Sequence, residues 1–129
     1  MTFLLDTHIW VWSMLEPGRL SPRVAKLLRP EAHELWLSPV SVWEILHLHA
    51  KGRIRLDPEP VAWVRAATSS TREAPLTQEI VLAAHSLKWP HRDPADRFLA
   101  ATAQVLGLTL VTADVRLLAL KDIATMPNR

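Results

Sequence analysis

The sequence predicts an α/β fold with a mainly parallel sheet, and three observations carry that expectation. Short, largely apolar runs of strand length recur at Phe3-Leu4-Leu5, Leu35-Trp36-Leu37 and Leu108-Thr109-Leu110-Val111-Thr112, and such runs read as buried strands. Between them lie stretches with helical spacing and clear helix-start signals. Strands therefore alternate with helices, the order that places a parallel sheet between helices. No internal repeat, linker or low-complexity segment interrupts the pattern, so one domain over residues 1–129 is expected.

Taken in order, the first strand is Thr2 to Leu5, and a short helix follows over His8 to Leu15, with Ile9 and Trp12 inward. Asp6 or Thr7 is placed to cap it, and Glu16-Pro17-Gly18 ends it. Ser21-Pro22 starts a second helix, with Ser as cap and Pro as first residue; Val24, Leu27 and Leu28 form its inner face and Pro30 stops it. A second strand spans Glu34 to Leu37. Ser38-Pro39 repeats the start signal for a helix to about Lys51, with Val42, Trp43, Leu46 and Ala50 inward and Gly52 as the stop. After an extended link, Pro58-Glu59-Pro60 opens a helix over about Glu59 to Thr68, with Val61, Val64 and Ala67 inward. Glu73 to Leu76 reads as a weak third strand, short or at an edge because of Pro75.

Thr77 caps a helix over Gln78 to Ser86. Asp93 and Pro94 are a natural cap and first residue for the best-defined helix, with Phe98, Leu99, Thr102, Ala103 and Leu106 inward and Gly107 at its end. Leu108 to Thr112 is the next strand. Asp114 starts a short helix to about Leu120, and Ile123 to Thr125 forms a last strand.

Composition narrows the function. The absence of cysteine excludes disulfides, thiol catalysis and Cys-ligated zinc, and fits a reducing cytoplasm. No apolar run approaches the roughly 20 residues that span a bilayer, and the N-terminus lacks the charged region and cleavage site of a secretory leader. The net charge is only +2, but eleven of the 15 basic residues are Arg, suited to bidentate phosphate contacts. Sequestering four of the 13 acids in a pocket would leave nine facing those 15 bases, a surface that attracts a polyanion. Ordinary solubility is the plain alternative.

The acids carry the chemistry. Asp6 follows the first strand, and Glu44 lies in the second turn of the helix after the second strand. Asp93 and Asp96 open the long helix, and Asp114 follows the Leu110-Val111-Thr112 strand. Each alone has a structural explanation as an N-cap or first-turn acid; Ser41 and Glu44 even have capping-box spacing. Together, three or four of them fall where a strand hands over to a helix, or in the first turns of that helix. In a parallel sheet those points share the carboxyl edge, where open α/β sheets bind ligands. Converging carboxylates repel unless a cation joins them, and an all-oxygen set favours Mg²⁺ or Mn²⁺ over zinc. Such a site suits phosphodiester hydrolysis, with one or two metals. Arg92 and Arg97 flank Asp93 and Asp96 as candidate phosphate contacts, or as plain solvated charges. The six histidines show no ligand spacing, although His8 and His91 lie nearest the expected pocket. Trp12, Trp36 and Trp43 read as core or interface, and Trp89 is left open as a base-stacking candidate.

The stretches LLDTHIWVW, LSPVSVWEI, HRDPADRFLAATA and LTLVTADVRL, in this order and spacing, closely resemble PIN-domain proteins, in particular the VapC-type toxins of bacterial toxin–antitoxin pairs. The resemblance covers essentially the whole chain. It implies a parallel sheet of about five strands and a Mg²⁺- or Mn²⁺-dependent endoribonuclease. It places the family's four acids on Asp6, Glu44, Asp96 and Asp114. Asp93 is a further ligand or only a helix cap. Thr112 matches a hydroxyl position that orients a carboxylate or water, with Thr7 as a second supporting residue. It also implies a cognate antitoxin and a homodimer, for which Ile9 to Trp12 and Trp43 to Leu46 offer apolar surface. The competing readings are a PIN-like module that binds RNA or protein without cleaving, a haloacid-dehalogenase-type phosphatase and a phospho-receiver. The last two fit poorly: Asp6-Thr7-His8 lacks the second acid of Asp-x-Asp, and the late strand lacks the receiver's lysine.

Overall fold

The computed structural model describes residues 1–29 and 31–129. The elements run β1 (Thr2–Leu5), α1 (Thr7–Leu15), a 3-10 turn (Pro17–Arg19), α2 (Pro22–Leu27), β2 (Glu34–Leu37), α3 (Pro39–Ala50), α4 (Pro60–Ala67), β3 (Arg72–Glu73), α5 (Gln78–Ser86), α6 (Pro94–Leu106), β4 (Thr109–Thr112), α7 (Val115–Leu118) and β5 (Ala124–Pro127). The start signals act as read. Ser21, Ser38, Thr77 and Asp93 each accept a hydrogen bond from a backbone N–H of the first turn. Gly107 takes the left-handed conformation that closes α6, at φ 66°. The expected stop at Pro30 lies outside the described residues.

The five strands form one sheet in the order β3-β2-β1-β4-β5, with every neighbouring pair parallel. The chain therefore lays β2 and β3 on one side of β1, then crosses to lay β4 and β5 on the other. The reversal puts a crevice between the carboxyl ends of β1 and β4, the place where open parallel sheets take ligands. Asp6 sits at one lip and Thr112 and Asp114 at the other.

Alternation along β1 sends Phe3 and Leu5 to one face and Leu4 to the opposite one. The first face packs with Ile9, Trp10, Val24, Leu35, Leu37 and Ile45. The second packs with Ile80, Leu99, Ala100, Ala103, Leu110 and Leu117. The small residues of α6 let that helix lie close to the sheet.

Several expected faces are corrected. In α3 the buried residues are Ser41 and Ile45, while Val42 and Leu46 are half-buried; Trp43 is 69% exposed and Ala50 also faces solvent. In α1 the core takes Ile9, Trp10 and Val11, so this segment is interior and not spare interface; Trp12 lies half-buried at its margin. Val61 and Leu106, expected inward, are exposed. Short helices in this apolar chain carry bulk on several sides, and sheet position, not periodicity, chooses the buried one. β3 is only two residues long and shifted toward Arg72, as an edge strand before Pro75 allows.

Candidate active site

Asp6 is 5% exposed at the end of β1, and its backbone N–H extends the ladder to Val111 O at 3.0 Å. It occupies the N-cap position of α1 without capping through its side chain. Its Oδ2 instead accepts the Thr112 hydroxyl at 2.7 Å. The same Thr112 oxygen accepts the Asp114 N–H at 3.0 Å, so one buried hydroxyl fixes both lips of the crevice.

Thr7 is likewise no cap. It is the first residue of α1, and its hydroxyl donates to Glu44 Oε1 and lies 2.8 Å from Ser41 Oγ. Ser41 and Glu44 are one helical turn apart on α3 and so face Thr7 together. Ser41 is therefore a buried hydroxyl of the site and not part of a capping box.

Asp96 comes from the first turn of α6, and Asp93 caps that helix, accepting from Ala95 N at 3.0 Å. Asp96 Oδ2 is 2.6 Å from His91 Nε2. The other ring nitrogen, Nδ1, lies 3.4 Å from Arg116 Nη1. A guanidinium only donates, so Nδ1 holds the lone pair and Nε2 carries the proton given to Asp96. His91, Asp93 and Asp96 each offer a ligand atom within 4.8 Å of one another. With Nε2 committed to Asp96, His91 orients that carboxylate, and the two acids are the donors facing the crevice.

The acids lie near enough for the charge of one to act on another. Burial pushes the Asp6 carboxyl up against the pull of the Thr112 hydrogen bond, and the charge of Asp96 adds to the rise. Glu44 is raised by burial and by the charges of Asp6, Asp93 and Asp96, against the Thr7 hydrogen bond. Asp96 is raised by burial and by Asp93 and Asp114, against the His91 hydrogen bond. Asp114 alone goes down, because Arg116 hydrogen-bonds it. Like charges held near one another are the condition that a divalent cation relieves. Carboxylate oxygens suit a hard metal ion, and Asp93 and Asp96 lie within ligand reach of one another and of His91. A cleft of about 580 Å³ opens onto Asp6 and Asp114, walled by His8, Trp12, Arg19 and Arg116.

Arg97 is a correction. All five of its N–H donors go to backbone carbonyls: Nε and Nη2 to Ala84 (3.1 and 2.7 Å), Nη2 to Leu87 (2.8 Å), and Nη1 to Trp89 (2.8 Å) and His91 (3.0 Å). Nothing is left for a phosphate. Arg97 pins the loop between α5 and α6 and thereby places His91 on Asp96. Arg92 is exposed. Trp89 is half-buried with its ring edge-on to His91 at 4.8 Å, which makes it packing for that histidine. The residues that sequence reasoning missed are Ser41 and Arg116. Ser41 had a signal in its one-turn spacing from Glu44; Arg116 had only its place two residues after Asp114.

A model of the PIN domain matches residues 3–123, nearly the whole chain. The chain belongs to the PIN-domain family. This PIN domain is 35% identical over 118 residues to Ribonuclease VapC22 of Mycobacterium tuberculosis (strain ATCC 25618 / H37Rv), covering 90% of this chain and 89% of that protein. Its fold matches chains in VapBC2 from Rickettsia felis bound to a promoter DNA fragment (TM-score 0.74, 15% identity, 98% of each chain). It also matches DNA-bound VapBC from Salmonella typhimurium (TM-score 0.73, 19% identity, 100% of this chain and 99% of that one). The expected PIN fold and its five-stranded parallel sheet are both found.

Proposed function

We propose that this single PIN domain, residues 1–129, is a divalent-metal-dependent endoribonuclease and the toxin of a toxin–antitoxin pair. The observation that carries the reading is that Asp6, Glu44 and Asp96 are each raised by burial and by the charge of neighbouring acids. The ribonuclease name of the 35% identical relative supports the substrate class, and the folds found in VapBC complexes support an antitoxin partner.

The residues divide the work by position. Asp6, Glu44 and Asp96 would hold the ion, Mg²⁺ or Mn²⁺ by their hard oxygen chemistry, with Asp93 a further candidate. When bound, the ion polarises water and offsets phosphate charge. Thr112 orients Asp6, Thr7 orients Glu44 and His91 orients Asp96, so each carboxylate presents a fixed oxygen. Asp114 braces Arg116 at the far lip. Arg92, being exposed, is the candidate for meeting RNA phosphate through its guanidinium. Exposed Trp43, with Leu76 and half-buried Phe98, borders a groove of about 460 Å³ that reaches Glu44 and Asp93. That apolar surface suits an antitoxin or a second copy of the chain. No helix among the described residues is long and apolar enough to cross a membrane; action in the cytoplasm accords with an RNA substrate.

The test is cleavage of single-stranded RNA by the purified chain with Mg²⁺ or Mn²⁺, and with EDTA. Cleavage should require the ion and vanish in Asp6→Asn and Asp96→Asn variants that retain the native circular dichroism. Undiminished cleavage in both variants would overturn the reading.

A further inference from the structure

Arg116 stands among the acids in a way that the proposed metal chemistry does not use. Its backbone N–H and its Nε bond Asp114 Oδ1 at 2.9 and 3.2 Å, and its Nη2 bonds Asp114 Oδ2 at 2.9 Å. Both oxygens of Asp114 are thus taken by one residue, two of the three bonds in the fork geometry that suits guanidinium and carboxylate. The same Nη2 lies 4.0 Å from Asp96 Oδ2, and Nη1 faces His91 Nδ1 at 3.4 Å. A fixed positive charge therefore lies between Asp114 and Asp96, on the wall of the cleft that also exposes Asp6.

A second ion in the pocket would call on Asp114 as a further carboxylate ligand. Here each Asp114 oxygen already accepts from Arg116, whose guanidinium supplies positive charge beside it. Asp6, Glu44 and Asp96 are instead oriented by hydrogen bonds with Thr112, Thr7 and His91. We infer that Arg116 takes the place of a second metal ion, so that the pocket binds one divalent cation on Asp6, Glu44 and Asp96. The length of the side chain matters, because it spans Asp114 and reaches toward Asp96 at once. The inference rests on the metal-site reading proposed above.

The experiment counts Mn²⁺ bound to the full chain at neutral pH, by the loss of the free-ion electron paramagnetic resonance signal as Mn²⁺ alone is titrated in. Wild type should saturate at one ion per chain. Arg116→Ala, which frees Asp114, should saturate at two, and Arg116→Lys, which keeps the charge, at one. Two ions in wild type, or a single ion in Arg116→Ala with its circular dichroism intact, would overturn the inference while leaving the metal site in place. No bound Mn²⁺ in wild type would overturn both.

Discussion

Arg97 and Arg116 each follow closely on a site acid, and the fold gives them opposite tasks. Arg97 is one residue past Asp96, yet the helix turns it away from the crevice and into a ring of carbonyls from Ala84, Leu87, Trp89 and His91. Arg116 is two residues past Asp114 and stays at the cleft with its guanidinium against carboxylates. The first is architecture that happens to be charged; the second is charge placed beside the acids of the candidate site. Proximity to an acid in sequence does not separate the two, whereas the direction of the helix face does.

The comparison can be broken at the acid both arginines border. Asp96→Asn should lower RNA cleavage at least about 100-fold, since losing even a residue that only orients a metal ligand typically costs 10–100-fold; near-normal turnover would detach α6 from the site. Next, Arg97→Ala should unfold more easily. It strands several carbonyls that lose charge-assisted hydrogen bonds, a cost of about 2–4 kcal/mol that thermal or urea denaturation would register. Arg97→Lys should not rescue it, because an ammonium cannot reproduce a planar fork directed at four carbonyls. Arg116→Ala should leave the melting temperature nearly unchanged, since its pair with Asp114 is exposed to solvent. A large loss of stability there and none at Arg97 would invert the assignment.

Smaller effects sharpen the site itself. Thr112→Val should keep the fold and lower cleavage roughly 10–100-fold, because Asp6 and the Asp114 N–H both lose their shared hydroxyl. The metal-free protein should also respond to pH in a defined sense. Asp6, Glu44 and Asp96 titrate above their ordinary values of 3.8, 4.5 and 3.8. The folded state therefore holds protons that the unfolded state has released, and stability falls as pH rises from those values through the raised ones. Above that window the penalty is complete, so added Mg²⁺ should raise the melting temperature more at neutral pH than in acid. Equal gains at both would show that the ion binds elsewhere. Arg92→Ala should have the least effect, a few-fold rise in KM that weakens as salt increases.

Much of the fold was legible because its boundaries are written locally. Ser21-Pro22, Ser38-Pro39, Thr77 and Asp93-Pro94 each specify a helix start through groups within one turn, and Gly107 specifies an end by the conformation it alone adopts easily. Asp6 and Asp114 were placed for a related reason: both follow strands of a parallel sheet, whose carboxyl ends share an edge, whereas Asp96 opens a helix that follows another helix. Trp43 and Trp10 were not. Both lie in helices with apolar residues on several sides, and which one enters the core depends on the sheet beneath.

The sequence by itself therefore determined the elements and the parallel sheet, because caps, breakers and strand runs act over a few residues. Tertiary structure decided which hydroxyl serves which acid, Thr112 for Asp6 and Thr7 for Glu44, and which arginine faces carboxylates. Those choices join residues 106 and 37 positions apart, and at such separations no local rule operates; only the packed sheet and helices bring the partners within hydrogen-bond reach.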